Sequence, residues 1–167
     1  MKRLGVFLLL SILLASCGYT PRGLSPGIGV STLYIQPLGN RTAEPFLDSM
    51  LTNDLIMWFS RDRQLRLVDS AKEAEAVLSG DVASYSRTAV AYNRRDKIQE
   101  YRSEMRVNAN LRRVSDGRIL WKDSVFWSEE SFNSADRSQQ DDFETEAMQQ
   151  ISQRLAEQVY QRIQENF

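Results

Sequence analysis

Apolar and polar residues alternate between positions 101 and 112, with Ser103 as the one exception, and this is the clearest pattern in the chain. One face of a strand would carry Tyr101, Ser103, Met105, Val107, Ala109 and Leu111, and the other Arg102, Glu104, Arg106, Asn108, Asn110 and Arg112. Such alternation is typical of an antiparallel strand that buries a single face. Asp116-Gly117 favours a tight hairpin turn, so a second strand from about Ile119 to Glu129 is predicted to return beside the first.

Two other stretches repeat their apolar residues at the spacing of an amphipathic helix. The first covers residues 44–60, with Thr42 as the residue that would cap its start. The second runs from about Asp141 to Glu165 and has apolar residues four apart along its length. Acidic residues at the start of this second helix would interact favourably with the helix dipole. We interpret both apolar stripes as surfaces that pack against a sheet.

Shorter segments rich in β-branched and aromatic residues complete the predicted secondary structure. They lie at about 31–38, 65–69 and 77–91. Because a helix separates the first two, they are expected to form a parallel pair joined by a right-handed crossover. The predicted fold class is α+β, in the order β-α-β-β-β-β-α, with two helices packed on one face of a four- to five-stranded mixed sheet.

The first 17 residues have the pattern of an export signal. Lys2 and Arg3 precede an apolar run over residues 4–15 that is too short to span a bilayer. This run ends in Leu14-Ala15-Ser16-Cys17, which resembles the bacterial lipobox. The alternative is an ordinary signal peptide followed by an incidental free cysteine. We predict a lipoprotein signal peptide at 1–16, a lipidated tether at 17–29 that is rich in glycine and proline, and one α+β domain at 30–167.

The lipobox resemblance implies that Cys17 carries the lipid and becomes the first residue of the mature protein. Two or three acyl chains anchor a protein stably at a membrane, whereas one chain does not. Gly18, rather than aspartate, follows the cysteine, which by resemblance to enterobacterial sorting favours the outer membrane. No cofactor beyond this covalent lipid is expected.

Composition argues against several functional classes. The chain has 167 residues, with 21 Lys+Arg and 22 Asp+Glu, so no excess of positive charge suggests a nucleic-acid partner. It contains no histidine and a single cysteine, which removes histidine-dependent nucleophiles and nearly all zinc and transition-metal sites. A hydrolase that uses only carboxylates is disfavoured because no acidic pair falls in an apolar setting. We therefore expect neither an enzyme nor a metal site.

Two groups of basic residues are candidates for contact with lipid phosphates. The first is Arg94, Arg95 and Lys97, in a predicted turn between strands, and the second is Arg112, Arg113 and Arg118, around the later hairpin turn. Guanidinium and ammonium groups bind phosphate as forks and point charges, respectively. The alternative for both groups is an ordinary solvated turn.

Several short motifs, taken in order, resemble the lipopolysaccharide-assembly lipoprotein family (LptE-like). They are Cys17-Gly18-Tyr19 with Gly23, Asn40-Arg41-Thr42 with Glu44, Ala74-Glu75-Ala76-Val77-Leu78 with Gly80, Tyr101-Arg102, and Gly117-Arg118-Ile119-Leu120-Trp121. The resemblance implies an outer-membrane lipoprotein, on the periplasmic side or in the lumen of the large β-barrel translocon LptD. There it would plug the barrel, assist its assembly and bind lipopolysaccharide. The basic residues that contact lipopolysaccharide in the family have no matching motif in this chain.

A second functional class remains open from the sequence. Outer-membrane lipoproteins that activate a peptidoglycan synthase or assemble a secretion pore also begin with a strand followed by an Asn-x-Thr turn. The short domain and the hairpin from Gly117 to Trp121 favour the first interpretation.

Overall fold

The computed structural model describes residues 29–165 of the chain, which form six strands and two helices. The elements are β1 (Thr32–Ile35), β2 (Gly39–Asn40), α1 (Leu47–Ser60), β3 (Arg66–Leu67), β4 (Ala76–Tyr92), β5 (Ile98–Arg113), β6 (Ile119–Phe132) and α2 (Arg137–Glu165). The predicted signal peptide, the lipid site at Cys17 and the tether up to residue 28 lie outside the described residues. Within residues 29–165, neither helix is long and apolar enough to cross a membrane.

The strands form one mixed sheet in the order β3-β1-β4-β5-β6. β1 is parallel to both β3 and β4, as the predicted crossover requires, and β5 is antiparallel to its two neighbours, β4 and β6. The two-residue β2 adds a short parallel pairing with β4 at Asp81 and Val82. The predicted α+β class and mixed sheet are confirmed, with the short β2 as an additional strand.

Both helices pack against the face of the sheet that the alternation in β5 predicts. On that face Met105, Val107, Ala109 and Leu111 are all buried, while their neighbours on β5 are partly or fully exposed. Helix α1 contributes Leu47, Leu51, Leu55 and Phe59 to this core, and α2 contributes Ile151, Leu155, Val159 and Ile163. Burial of each such side chain stabilises the fold by about 1.5–3 kcal/mol, so these two stripes hold the layers together.

Helix α1 begins three residues later than predicted, because local polar contacts keep the preceding chain in a turn. The Thr42 hydroxyl donates to the Asn40 side chain at 2.8 Å instead of capping the helix, and the Asn40 amide donates to the Glu44 carbonyl at 2.7 Å. Pro45 also disfavours a helical conformation at Glu44. The helix starts after Phe46, which has a positive φ of 66° and whose carbonyl accepts the first helical hydrogen bond from Met50.

Helix α2 begins four residues earlier than predicted. Asp136 acts as the N-cap, since its carboxylate accepts the backbone N–H groups of Ser138 at 2.9 Å and Gln139 at 3.3 Å. Strand β6 also continues to Phe132, three residues past its predicted end at Glu129, so only four residues separate it from α2. The acidic residues from Asp141 onward therefore lie beyond the first turn, where the helix dipole has little effect.

The hairpin of β4 and β5 extends beyond the part of the sheet that α1 covers. The strands have 17 and 16 residues, which corresponds to about 55 Å at the usual rise per residue, whereas α1 has 14 residues and is about 21 Å long. Past Val82 no residue of β4 is fully buried, and β4 pairs only with β5. The outer half of this hairpin is therefore an exposed projection that only α2 covers in part.

A buried polar contact joins the two helices. The Ser152 hydroxyl donates to the Asp54 carboxylate at 2.5 Å, and both residues are buried within the seam between α1 and α2. Burial raises the pKa of Asp54 above its ordinary value, and the hydrogen bond from Ser152 offsets part of that effect. The folded protein therefore binds a proton at Asp54 more tightly than the unfolded chain does.

We expect Asp54→Asn to change how stability depends on pH. Above the raised pKa the wild-type protein bears the cost of burying a carboxylate, and this cost disappears as pH falls through that pKa towards the ordinary value. Urea unfolding from pH 7 to pH 4 should therefore show wild type gaining stability relative to Asp54→Asn. Exposed Asp69→Asn is the control for the loss of one carboxylate. Parallel pH profiles for wild type and Asp54→Asn would contradict this expectation.

We also expect Gly80→Ala to destabilise the sheet. A Cβ at Gly80 would lie 2.3 Å from the Asn108 carbonyl oxygen and 3.0 Å from the Ala109 Cα, both of which are backbone atoms that no side-chain rotation can move. Such overpacking costs about 1–3 kcal/mol of unfolding free energy. Gly39→Ala is the matched control, because its nearest atom is the Asp81 Cβ at 3.5 Å. Equal urea midpoints for the two variants would contradict this close approach.

Candidate functional site

The face of the sheet opposite the helices is a long, uncovered and mostly polar surface, which we call the outer face. It follows from the strand registers, because every residue that alternates with a core residue on β4, β5 and β6 points to this side. Its polar members include Ser79, Asp81, Ser84, Ser86, Thr88, Glu100, Arg102, Glu104, Arg106, Asn108, Asn110, Arg112, Lys122, Ser124, Ser128 and Glu130. No helix of the described residues covers it.

A shallow depression of about 620 Å³ lies on the outer face, nearer to the connection between β5 and β6 than to the one between β4 and β5. Asn108, Asn110, Lys122 and Ser124 line it on β5 and β6, beside the ion pair between Arg41 and Asp81. In that ion pair the Arg41 Nε lies 3.0 Å from the Asp81 Oδ1. Amide, hydroxyl and ammonium groups therefore form one polar floor that can donate and accept hydrogen bonds.

Farther along the outer face, charges are paired both between neighbouring strands and along β5 itself. Arg102 lies 2.6 Å from Glu130, and Arg106 lies 3.6 Å from Glu104 while its guanidinium covers the Phe126 ring at 4.8 Å. These side chains are about half exposed, and exposed ion pairs of this kind contribute only about 0–1 kcal/mol each. These ion pairs therefore contribute little to the stability of the fold, and their main effect is to give the surface charges of both signs.

Arg94, Arg95 and Lys97, the distal basic turn, connect β4 and β5. The Asn93 side chain organises this turn by accepting the backbone N–H groups of Arg95 at 2.8 Å and Lys97 at 3.1 Å. All three basic side chains are exposed, and none of them forms an ion pair with another of the described residues. Their positive charge is therefore available to an external anion.

Arg112, Arg113 and Arg118, the proximal basic turn, flank the connection from β5 to β6. Arg113 lies 3.6 Å from the Asp116 carboxylate, which also accepts the backbone N–H of Arg118 at 3.0 Å. That backbone hydrogen bond lowers the pKa of Asp116. One of the three positive charges is thus offset within the turn.

The two groups of basic residues do not form one site in the structure. The two turns lie at opposite ends of β5, which at the usual rise per residue separates them by about 50 Å. The chain enters the domain at the proximal end, because Ser31 donates its backbone N–H to Glu75 and Val114 donates to the Glu75 carbonyl. Cys17, the predicted lipid site, lies outside the described residues.

Sequence reasoning missed a polar cluster on the helix side of the projecting hairpin. Arg87 donates to Glu144 of α2 at 2.6 Å, and its guanidinium lies 3.8 Å from the centre of the Tyr101 ring. The Tyr85 hydroxyl donates to Ser103 at 3.2 Å in the same cluster, and burial raises the pKa of Tyr85. The period-two spacing of Tyr85 and Arg87 could have assigned them a common face, but nothing in the sequence identifies Glu144 as their partner.

A second ion pair holds the other end of α2 to the sheet. Arg162 donates to the Asp123 carboxylate on β6, and this hydrogen bond lowers the pKa of Asp123. Among residues 29–165, no group of acidic side chains has the arrangement needed to hold a metal ion. The outer face is thus a surface with charges of both signs, held to α2 at its opposite side by two ion pairs.

Comparison with known proteins identifies relatives of the whole domain. The family model described as LptE, lipopolysaccharide-assembly, matches residues 30–163. No curated protein sequence matches the chain.

Solved structures share the fold at low sequence identity. The hypothetical protein CT253 from Chlamydia trachomatis aligns with a TM-score of 0.59 and 13% identity, over 80% of this chain and 95% of that one. Lipoprotein B from Nitrosomonas europaea aligns with a TM-score of 0.59 and 15% identity, over 84% and 88% of the two chains. The rare lipoprotein B from Shewanella oneidensis aligns with a TM-score of 0.55 and 12% identity, over 80% and 93%. At these identities the likeness shows a common fold.

Proposed function

This chain belongs to the LptE family of lipopolysaccharide-assembly proteins, and we propose that it plugs the lumen of an LptD-like β-barrel translocon in the outer membrane. A lipid on Cys17 anchors it on the periplasmic side of that membrane. It assists assembly of the barrel and contributes to binding lipopolysaccharide on its way to the cell surface. The proposal includes no catalytic step, no metal and no nucleic acid.

The uncovered outer face is the observation that supports a place inside a barrel. The lumen of a large outer-membrane barrel is polar, in contrast to its lipid-facing side. The outer face offers serine, threonine and asparagine side chains with charges of both signs, so it can form hydrogen bonds with such a wall along most of the 16 residues of β5. An uncovered apolar sheet face would have favoured a membrane surface or a hydrophobic partner instead.

The distal basic turn supports a role in binding lipopolysaccharide. Lipid A carries phosphates, and a guanidinium group binds phosphate through two parallel hydrogen bonds. Arg94, Arg95 and Lys97 are exposed at the tip of the projecting hairpin and make no ion pair with another described residue. In the proximal basic turn, by contrast, Arg113 already forms an ion pair with Asp116.

We expect the double variant Arg94→Glu/Arg95→Glu to bind lipopolysaccharide about tenfold more weakly at low salt, since charged hydrogen bonds are worth about 1.5–3 kcal/mol. The difference from wild type should shrink as salt rises, because mobile ions screen exposed charges. Arg112→Glu/Arg118→Glu is the matched control at the proximal basic turn. Equal losses in both variants, measured by binding titration from low to physiological salt, would contradict the assignment to the distal basic turn.

The location inside a barrel is tested by photo-crosslinking in cells. A plug is surrounded by the wall, so we expect photoreactive residues at Ser86 on the outer face and at Gln153 on the exposed side of α2 to crosslink to the same large barrel. The tagged full-length chain should also retain this barrel in mild detergent. Non-irradiated samples of the same variants are the control.

Other outcomes of this experiment would contradict the plug. Crosslinks to the barrel from Ser86 alone would indicate docking of the sheet against one side of a partner. Recovery of a peptidoglycan synthase or a secretion pore in place of the barrel would assign the chain to that second class of outer-membrane lipoprotein.

A further inference from the structure

Strand β6 is a long, open edge of the sheet, without the proline or, past Trp121, the bulge that often interrupts such an edge. It pairs only with β5, and from Trp121 to Phe132 each residue has a single partner without any irregularity. The free part of β4 at the other edge has register shifts at Val82/Ser84, Ala89/Ala91 and Ala91/Tyr92. Bulges of that kind discourage pairing with another chain, whereas a long and regular edge strand invites it.

The same strand is also unusually apolar for an exposed edge. Among the described residues ten large hydrophobic side chains are exposed, and four of them lie on β6, namely Ile119, Phe126, Trp127 and Phe132. Phe126 and Trp127 point to opposite faces and border an open groove between β6 and α2. Strand β6 contains neither proline nor glycine. Its backbone and side chains therefore both favour the addition of another strand.

We propose that β6 pairs antiparallel with β6 of a second copy of this chain, about a two-fold axis at Phe126. In this register Phe126 lies opposite its own copy on the outer face. Lys122 then lies opposite Glu130 of the second copy, and Glu130 lies opposite the second copy's Lys122. The pairing is self-complementary, as a two-fold interface requires.

The charges of β6 on the outer face favour this register over its neighbours. The two copies must pair residues that share a face, so the register can move only in steps of two residues. One step sets Lys122 opposite Ser128 and Glu130 opposite Leu120, and a step the other way sets Lys122 opposite Phe132 and Glu130 opposite Ser124. Both alternatives lose the two opposite-charge pairs, which are a source of stability between neighbouring strands.

The contacts already present within one copy are compatible with this pairing. Lys122 forms no ion pair with another described residue, and Glu130 uses its Oε1 for Arg102, which leaves the second carboxylate oxygen available. On the helix side, Asp123 would lie opposite Glu129 of the second copy. Asp123 is already ion-paired with Arg162, so this juxtaposition does not bring together two uncompensated charges.

A second copy fits this edge better than the wall of a barrel does. A closed barrel has no free strand edge with which β6 could form a ladder. The paired form therefore describes the chain when no barrel encloses it, and the inference does not depend on the proposed function.

Cysteine crosslinking of the full-length chain tests the register. Directly opposed residues of antiparallel strands have Cα atoms about 4.5–5.5 Å apart, which suits a disulfide. Phe126→Cys should therefore form a covalent dimer under mild oxidation. Glu130→Cys alone should form no covalent dimer, since its two cysteines would lie about 27 Å apart in the paired form. A mixture of Lys122→Cys and Glu130→Cys chains should form a heterodimer. The wild-type chain controls for any contribution of Cys17.

Charge reversal provides a test without crosslinking. Lys122→Glu and Glu130→Lys should each weaken the dimer roughly tenfold, because each turns two attractive pairs into repulsive ones. The double variant should restore dimerisation, which a mere loss of folding would not do. Sedimentation equilibrium in detergent gives the dissociation constant of the dimer for each variant. Unfolding midpoints measured alongside show whether each variant is folded.

Several results would overturn the proposal. A monomeric Phe126→Cys protein under oxidising conditions would exclude the axis at this residue. A double charge reversal that fails to restore the dimer would exclude the register. Crosslinking of Phe126→Cys to a polypeptide of different mass would assign the edge to a foreign strand instead of a second copy.

Discussion

The burial of one face of the β4–β5–β6 sheet is the constraint on which the rest of this structure depends. The helices supply a single apolar layer, so the sheet can bury only the residues that point towards them. Because side chains alternate with a period of two, burial of Met105, Val107 and Leu111 sends Arg106, Asn108 and their neighbours to the opposite face. A slip of one residue would exchange the two sets, exposing the core and burying charge. The polar outer face is thus a direct consequence of core packing.

This dependence explains which features the sequence predicts well. Long periodic segments carry a repeated signal, and β5 and both helices were predicted from it. The ends of the helices depend instead on single hydrogen bonds, such as the one from Thr42 to Asn40 that delays α1 and the caps that Asp136 provides to α2. The two-residue β2 is too short to have any period, so no pattern could have indicated it.

Some features of the candidate site could likewise be predicted from the sequence, and others could not. The hairpin order alone places the two basic turns at opposite ends of β5, so their separation follows from the predicted topology. The pairs that fasten α2 to the sheet could not be predicted, because Arg87 and Glu144 are 57 residues apart and Asp123 and Arg162 are 39 apart. Those partners are determined by how the helix crosses the strands, and that crossing results from the packing of the whole core.

The low sequence identity between structures of this fold is consistent with different constraints on the core and on the surface. A core needs apolar side chains of suitable total volume more than particular residues, whereas a surface is free to diverge with its partner. In this chain part of the surface is prone to pair with other chains, because β6 is an open and apolar edge of the sheet. Enclosure in a barrel lumen would separate that edge from other chains. Outside a barrel, two-fold pairing would use up both β6 edges and leave none to extend the assembly. The two proposals therefore describe protection of the same strand at different stages of the life of the protein.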